Sequence, residues 1–336
     1  MDKLKPKNIS IYITIVLFIF LKGCGISQRA ETSDTTEKIK VVATTTFVRD
    51  VVSRVGGEEI ELKGILPYGA NPHAYQPTPQ EVAAVNEADV VFANGANLEV
   101  FLDDLIQNAG GDAQVVHVSK GIDLREFTEK GESHDHEESE DHGHQEGEDH
   151  HHDEGNGHEQ GNVDPHVWFD PNNILIWVDN IEDTLILLDP ENAETYRENA
   201  EAYREELRDL DTWIRDQVSQ IPEENLELVT DHTVFGYFAE EYGFQQVGTV
   251  ISAPTTEAEP SGQQIAALME TIEEYDVKAI FVGKDLDPNL SQRVADDTGV
   301  ELVGLYFSSL TKTDGPASTY LDFMRYNVEA IVEVLQ

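Results

Sequence analysis

The stretch Ile39 to Val55 reads IKVVATTTFVRDVVSRV. Its first seven residues, Ile39 to Thr45, are rich in β-branched side chains, whose stiff rotamers suit a strand. From Phe47 to Val55 the apolar residues fall instead at helical spacing, so a helix follows almost at once. Working outward, the alternation repeats. Strands are expected at Glu59–Leu66, Asp89–Ala93 and Gln114–Val118, and helices at Thr78–Asn86, with Pro79 in the first turn, and Leu98–Ala109. Strands that alternate with helices imply a parallel sheet covered on both faces.

A second series begins after Val163. Asn173 to Leu188 reads as a buried helix. Pro190 opens a longer amphipathic one to about Gln220, with Tyr196, Tyr203, Leu207, Leu210 and Ile214 along one face. Strands at Glu227–Thr230, Gln246–Ile251, Ala279–Val282 and Glu301–Leu305 then alternate with helices at Val234–Tyr242, Ser261–Tyr275, Asn289–Thr298 and Ser318–Leu335. The expectation is an α/β protein of two similar lobes, each a parallel sheet flanked by helices, with a ligand cleft between them.

The flanks are different in kind. Lys3, Lys5 and Lys7 precede an apolar run, Ile9 to Leu21, that falls short of the ~20 residues needed to span a bilayer, so residues 1–23 read as a signal peptide. Cys24, the only cysteine, follows directly and is the candidate for lipidation, although Lys22 departs from the small or apolar residue that a lipobox prefers. A lone cysteine permits no intrachain disulfide. Residues 24–38 form a polar tether. The folded part is expected outside the cytoplasm, either anchored or secreted. Thr128 to Asn162 is an insertion of Asp, Glu, Gly and His with almost no apolar residue, and disorder is expected there. The formal net charge of -44 over 336 residues excludes a basic nucleic-acid footprint.

Of the 12 histidines, eight (His134, His136, His142, His144, His150, His151, His152 and His158) lie in that insertion. His117, inside the run Val115 to Val118, reads as sheet packing. The other three stand where a strand gives way to a loop: His73 in Asn71-Pro72-His73-Ala74-Tyr75, His166 in Asp164-Pro165-His166-Val167-Trp168-Phe169-Asp170, and His232 in Thr230-Asp231-His232-Thr233. Ligands of open α/β sheets collect at the carboxyl ends of strands, and three neutral imidazoles there suit zinc. Asp231 and Asp170 are candidates to orient the rings, or simply turn and cap residues.

The stretches NPHAYQPTPQ (Asn71 to Gln80) and DPHVWFDP (Asp164 to Pro171), with Asp231-His232 before an aromatic-rich helix, resemble the metal-binding ABC-transporter solute-binding family of the ZnuA and TroA zinc-uptake type. The resemblance runs from about Ile39 to Leu335. It implies an N-terminal lobe over residues 39–189, a rigid linking helix over 190–220 and a C-terminal lobe over 221–336. It also implies that His73, His166 and His232 are metal ligands, and that an ABC-type permease in the membrane receives the cargo from a monomer. Many such proteins place a carboxylate in the segment corresponding to Leu305 to Leu310, where this chain reads LYFSSL. The fourth ligand is then Asp314, water, or another carboxylate; Glu259 reads rather as structural. Zinc is favoured over manganese, which prefers oxygen ligands. The histidine-rich insertion is a candidate secondary, metal-collecting loop, or a solvated insertion. Affinity should fall as pH drops through the histidine range.

Two rival functions are a metal-storing surface adhesin and a zinc-dependent hydrolase. Against the hydrolase, the chain has no His-Glu-x-x-His, no Gly-x-Ser-x-Gly and no phosphate-binding glycine loop, so no enzyme activity is expected.

Overall fold

The computed structural model describes residues 38–126, 163–251, 260–284 and 286–336. Cys24, the eight histidines of the insertion and Glu259 lie outside the described residues.

The first lobe is built on four parallel strands, β1 (Ile39–Ala43), β2 (Ile60–Gly64), β3 (Val90–Ala93) and β4 (Gln114–His117), in the order β2-β1-β3-β4. The second repeats the arrangement with β5 (Glu227–His232), β6 (Gln245–Ile251), β7 (Ala279–Gly283) and β8 (Glu301–Leu305), in the order β6-β5-β7-β8. In each sheet the chain first winds one way and then the other. The reversal falls between β1 and β3 in one lobe and between β5 and β7 in the other, which is where such sheets open a crevice for ligands.

The central strands are apolar on both faces, and their period of two divides them between separate cores. In β1, Val41 and Ala43 face the large central core, while Val42 faces outward with Ile65, Val85 and Leu102. In β7, Ala279 and Phe281 join the central core, whereas Ile280 and Val282 pack with Leu268, Ile272 and Val294. The outer layers are α2 (Pro79–Asn86) and α3 (Leu102–Ala109) in the first lobe, and α7 (Gly262–Glu274) and α8 (Asn289–Thr298) in the second. α6 (Gly236–Tyr242) sends Tyr237, Phe238 and Tyr242 into the central core.

That central core runs through both lobes without a break. It takes in α1 (Thr46–Gly56), α4 (Pro171–Leu188), α5 (Ala193–Val218) and α9 (Tyr320–Leu335). α5 buries Tyr196, Ala200, Tyr203, Leu207, Leu210, Ile214 and Val218, the stripe that a three-to-four-residue spacing predicts. Arg204 of α5 bonds Asp179 of α4 at 2.6 Å and also Glu182, pinning the two helices together. The C-terminal helix, which follows β8, also packs on the first lobe. Phe323 meets Phe47 of α1 edge-on at 4.8 Å, and the carboxylate of Asp50 in α1 accepts the Tyr320 N–H at 3.0 Å. Burial pushes the Asp50 carboxyl up to about 6.

Two expectations change in the folded chain. The helix expected from Leu98 begins only at Leu102, because Gly95, Ala96 and Asn97 all adopt left-handed backbone (φ 83°, 51° and 61°). That turn swings Glu99 inward, where it accepts from Thr44 Oγ1 (2.5 Å), Asn94 N (2.6 Å) and Gly95 N (3.1 Å). His117, expected inside the sheet, is exposed instead. Among the described residues β4 is the edge strand of its sheet, paired with β3 on one side, which leaves the end of the strand open to solvent.

Candidate metal centre

Two of the three histidines are set by the same local device. In Asn71-Pro72-His73 the Asn71 side chain accepts the His73 backbone N–H at 3.0 Å, and in Asp164-Pro165-His166 the Asp164 Oδ1 accepts the His166 backbone N–H at 3.0 Å. A short side chain that bonds the backbone two residues on makes a tight turn, and the intervening proline fixes φ within it. The third, His232, needs no turn. It is the last residue of β5, and the strand itself aims it across the β5–β7 reversal.

The three rings meet. His73 Nε2 lies 3.2 Å from His166 Nε2, and one ligand nitrogen from each ring lies within 4.8 Å of the others. A tetrahedral ion with metal–nitrogen bonds of ~2.05 Å sets its ligand atoms about 3.4 Å apart, so one edge already has that length. His166 and His232 are fully buried and His73 half-buried.

Carboxylates orient the two buried rings. Asp164 Oδ1 takes His166 Nδ1 at 2.7 Å, and Asp231 Oδ1 takes His232 Nδ1 at 2.7 Å. A carboxylate only accepts, so each Nδ1 carries the hydrogen, and in the neutral ring the lone pair is left on Nε2. The Nε2 of His232 is buried and has no hydrogen-bond partner among the described residues. A buried acceptor left without a partner costs about 1–3 kcal/mol unless something electropositive reaches it. Asp231 is itself anchored, since its Oδ2 accepts Gly283 N, at the end of β7, at 2.6 Å.

Burial, then the neighbouring His166 and His232, pushes His73 down to about 2, and burial likewise lowers His166 against the pull of Asp164. Proton competition at His73 in the metal-free arrangement is therefore moved well below the ordinary imidazole range that the sequence suggested.

Of the other candidates, Asp170 does not touch the rings. It caps α4, accepting Asn172 N at 2.8 Å, and burial raises its carboxyl to about 6. Asp314 is exposed, and the ion-holding group of described residues contains no carboxylate. The turn that carries Asp314 follows a buried segment, Phe307–Leu310, which is tied to the first lobe before the chain reaches Asp314. Trp168 Nε1 donates to Phe307 O (3.1 Å), Gly69 N to Ser309 Oγ (2.8 Å) and Leu310 N to Thr46 Oγ1 (2.9 Å). Ser308 and Ser309 are both buried there.

Sequence reading passed over Asp164, Asn94 and Glu99. Asp164 was legible, because an acid two residues before a histidine can reach back to its N–H. Asn94 and Glu99 gave no such signal. Glu99 holds Thr44 and Asn94 across the β1–β3 reversal, and Asn94 Nδ2 reaches Pro165 O (3.2 Å), next to His166.

Comparison with known proteins follows the same outline. The family model described as "Zinc-uptake complex component A periplasmic" matches residues 41–334. The chain is 33% identical over 325 residues to the manganese-binding lipoprotein MntA of Halalkalibacterium halodurans, covering 96% of this chain and 97% of that one. It is 30% identical to the iron-binding protein YfeA of Yersinia pestis over 95% of this chain and 94% of that one. Among solved structures it resembles the periplasmic zinc binding protein TroA from Treponema pallidum, with a TM-score of 0.72, 25% identity, and coverage of 89% and 99%.

Proposed function

The chain belongs to the zinc-uptake complex component A family, and from that premise we propose that it captures one divalent transition metal, zinc, and delivers it to an ABC-type importer in the membrane. His73, His166 and His232 are the ligands. The observation that carries this reading is the meeting of three ring nitrogens within 4.8 Å, one of them a buried acceptor with no partner among the described residues.

The choice of zinc rests on ligand chemistry. Three imidazoles with no carboxylate among them form a borderline-soft set that suits zinc, whereas manganese favours oxygen. Water completes the tetrahedron, a reading supported by the exposure of Asp314 and by the lack of a carboxylate in the ion-holding group of described residues. Manganese is the competing cargo, because relatives such as MntA are named for it. Lipidation at Cys24 would hold the protein at the outer face of the membrane. The histidine-rich insertion would bind further metal weakly, through its clustered imidazoles.

Competition titration of the metal-free protein with zinc and manganese tests the choice. One tight zinc per chain, with manganese weaker by at least tenfold, is the expected result. Equal or tighter manganese binding would sink the zinc assignment. Uptake by cells that depend on the cognate permease, lost when the three histidines are replaced by alanine, tests delivery.

A further inference from the structure

A second interlobe cavity, of about 270 Å³, carries chemistry opposite to that of the metal centre. Tyr68 and Gly69 of the first lobe form one wall, and Tyr306, Ser309 and Leu310 of the second form the other. Lys284 and Lys312 also line it. Behind Tyr68 stands Arg49, its guanidinium 4.2 Å from the ring centroid. Lys284 Nζ lies 4.9 Å from the Tyr306 ring and 4.4 Å from the Tyr326 ring, and donates to the Tyr326 hydroxyl.

None of these three cations makes an ion pair with a carboxylate among the described residues. In a chain of net charge -44 this is unexpected. Carboxylates are three times as numerous as cations, 66 against 22, and several other cations are paired with them, as in Arg54 with Glu206, Arg204 with Asp179 and Arg215 with Asp211. Here Arg49 and Lys284 lie against tyrosine rings, which hold a cation by their faces without neutralising it. The result is a local positive pocket. At physiological salt the acidic remainder of the surface is screened beyond ~8 Å, so an anion inside the pocket responds chiefly to the near lysines.

We propose that this cavity binds a small polycarboxylate anion. It is too large for a monatomic anion. Its apolar ring walls suit the carbon body of a carboxylic acid, with Lys284 and Lys312 meeting the charged ends. A phosphate would be better served by a cradle of backbone N–H groups, as at the start of a helix. The walls come from both lobes and meet where Gly69 N already donates to Ser309 Oγ at 2.8 Å, so the bound anion ties the lobes together. Citrate and related acids also hold divalent metals in solution, so the pocket would accept the ligand of an incoming metal complex. That consequence rests on the metal-capture reading; the binding itself does not.

The test uses the metal-free full chain, titrated calorimetrically at fixed ionic strength with citrate, tricarballylate, acetate and phosphate. Saturable one-to-one binding of citrate and tricarballylate is expected, at least tenfold tighter than phosphate. Lys284→Gln with Lys312→Gln should weaken it at least tenfold, while zinc affinity measured without carboxylates stays within about twofold. Both lysines are exposed, so the double variant should fold, and single Lys312→Gln, which touches no ring, provides the milder version. Absence of saturation by about 10 mM, equal affinity in the lysine variants, or phosphate binding as tightly as citrate would each overturn the proposal. None of these outcomes depends on whether the histidines bind zinc.

Discussion

Replacing Asp231 by asparagine changes one atom and should change the tautomer of His232, a proposed metal ligand. The Asp231 carboxylate serves two buried donors, His232 Nδ1 at 2.7 Å and Gly283 N at 2.6 Å. A carboxamide has one acceptor oxygen and one donor nitrogen, so it can satisfy only one of them. The Gly283 N–H belongs to the sheet and cannot turn away, so the amide oxygen stays with it and the NH₂ group faces His232. That ring then relieves a donor–donor clash by moving its proton from Nδ1 to Nε2. The nitrogen that should meet the metal becomes protonated. Loss of a group that orients a metal-bound histidine typically weakens metal affinity 10- to 100-fold, about 1.4 to 2.7 kcal/mol. Competition with a fluorescent zinc chelator measures that loss. Nitrogen-15 NMR of the metal-free protein reports which ring nitrogen carries hydrogen, and thermal unfolding shows that the fold survives. Affinity within twofold of the parent, with the His232 proton moved to Nε2, would refute the link between tautomer and binding.

Alanine at His73, His166 or His232 should cost more than the roughly 100-fold that marks the upper end for supporting residues, read as metal content after dialysis. Metal-free protein should lose stability as pH falls below 6.5: His73, held down to about 2 by burial, stays neutral in the fold while the unfolded chain takes up a proton, and His73→Gln should flatten that part of a urea-denaturation profile. Asp50 works in the opposite direction. Its carboxyl, raised by burial from 3.8 to about 6, favours the protonated fold, so stability is lost as pH rises through that window, and Asp50→Asn should stabilise the protein at pH 7.5 by at most about 3 kcal/mol, with little effect near pH 3.5. Trp168→Phe keeps an aromatic ring against Phe47 but strips the donor from Phe307 O, and should cost about 1–3 kcal/mol in denaturant unfolding. Deleting residues 128–162 should remove weak zinc sites and leave the tight one, as counted by calorimetry.

The strand and helix order could be read from the chain because each element carries its own period: two in β1, where Val41 and Val42 face different cores, and three to four in α5, from Tyr196 to Ile214. The turn that presents His166 is equally local, an acid and a proline immediately before the ring. These features depend on neighbours a few residues away, and the physics of a few residues is written in their identities. The convergence of His73, His166 and His232 is a matter of distance between segments 93 and 66 residues apart in the chain, and only the packed lobes bring the rings together. The same holds for the anchoring of Asp231 by Gly283, the inward turn of Glu99, and the exposure of Asp314. Each depends on which strands lie side by side and which hydrogen bonds survive burial. A linear pattern does not specify those choices, because they are settled by the free energy of the whole core.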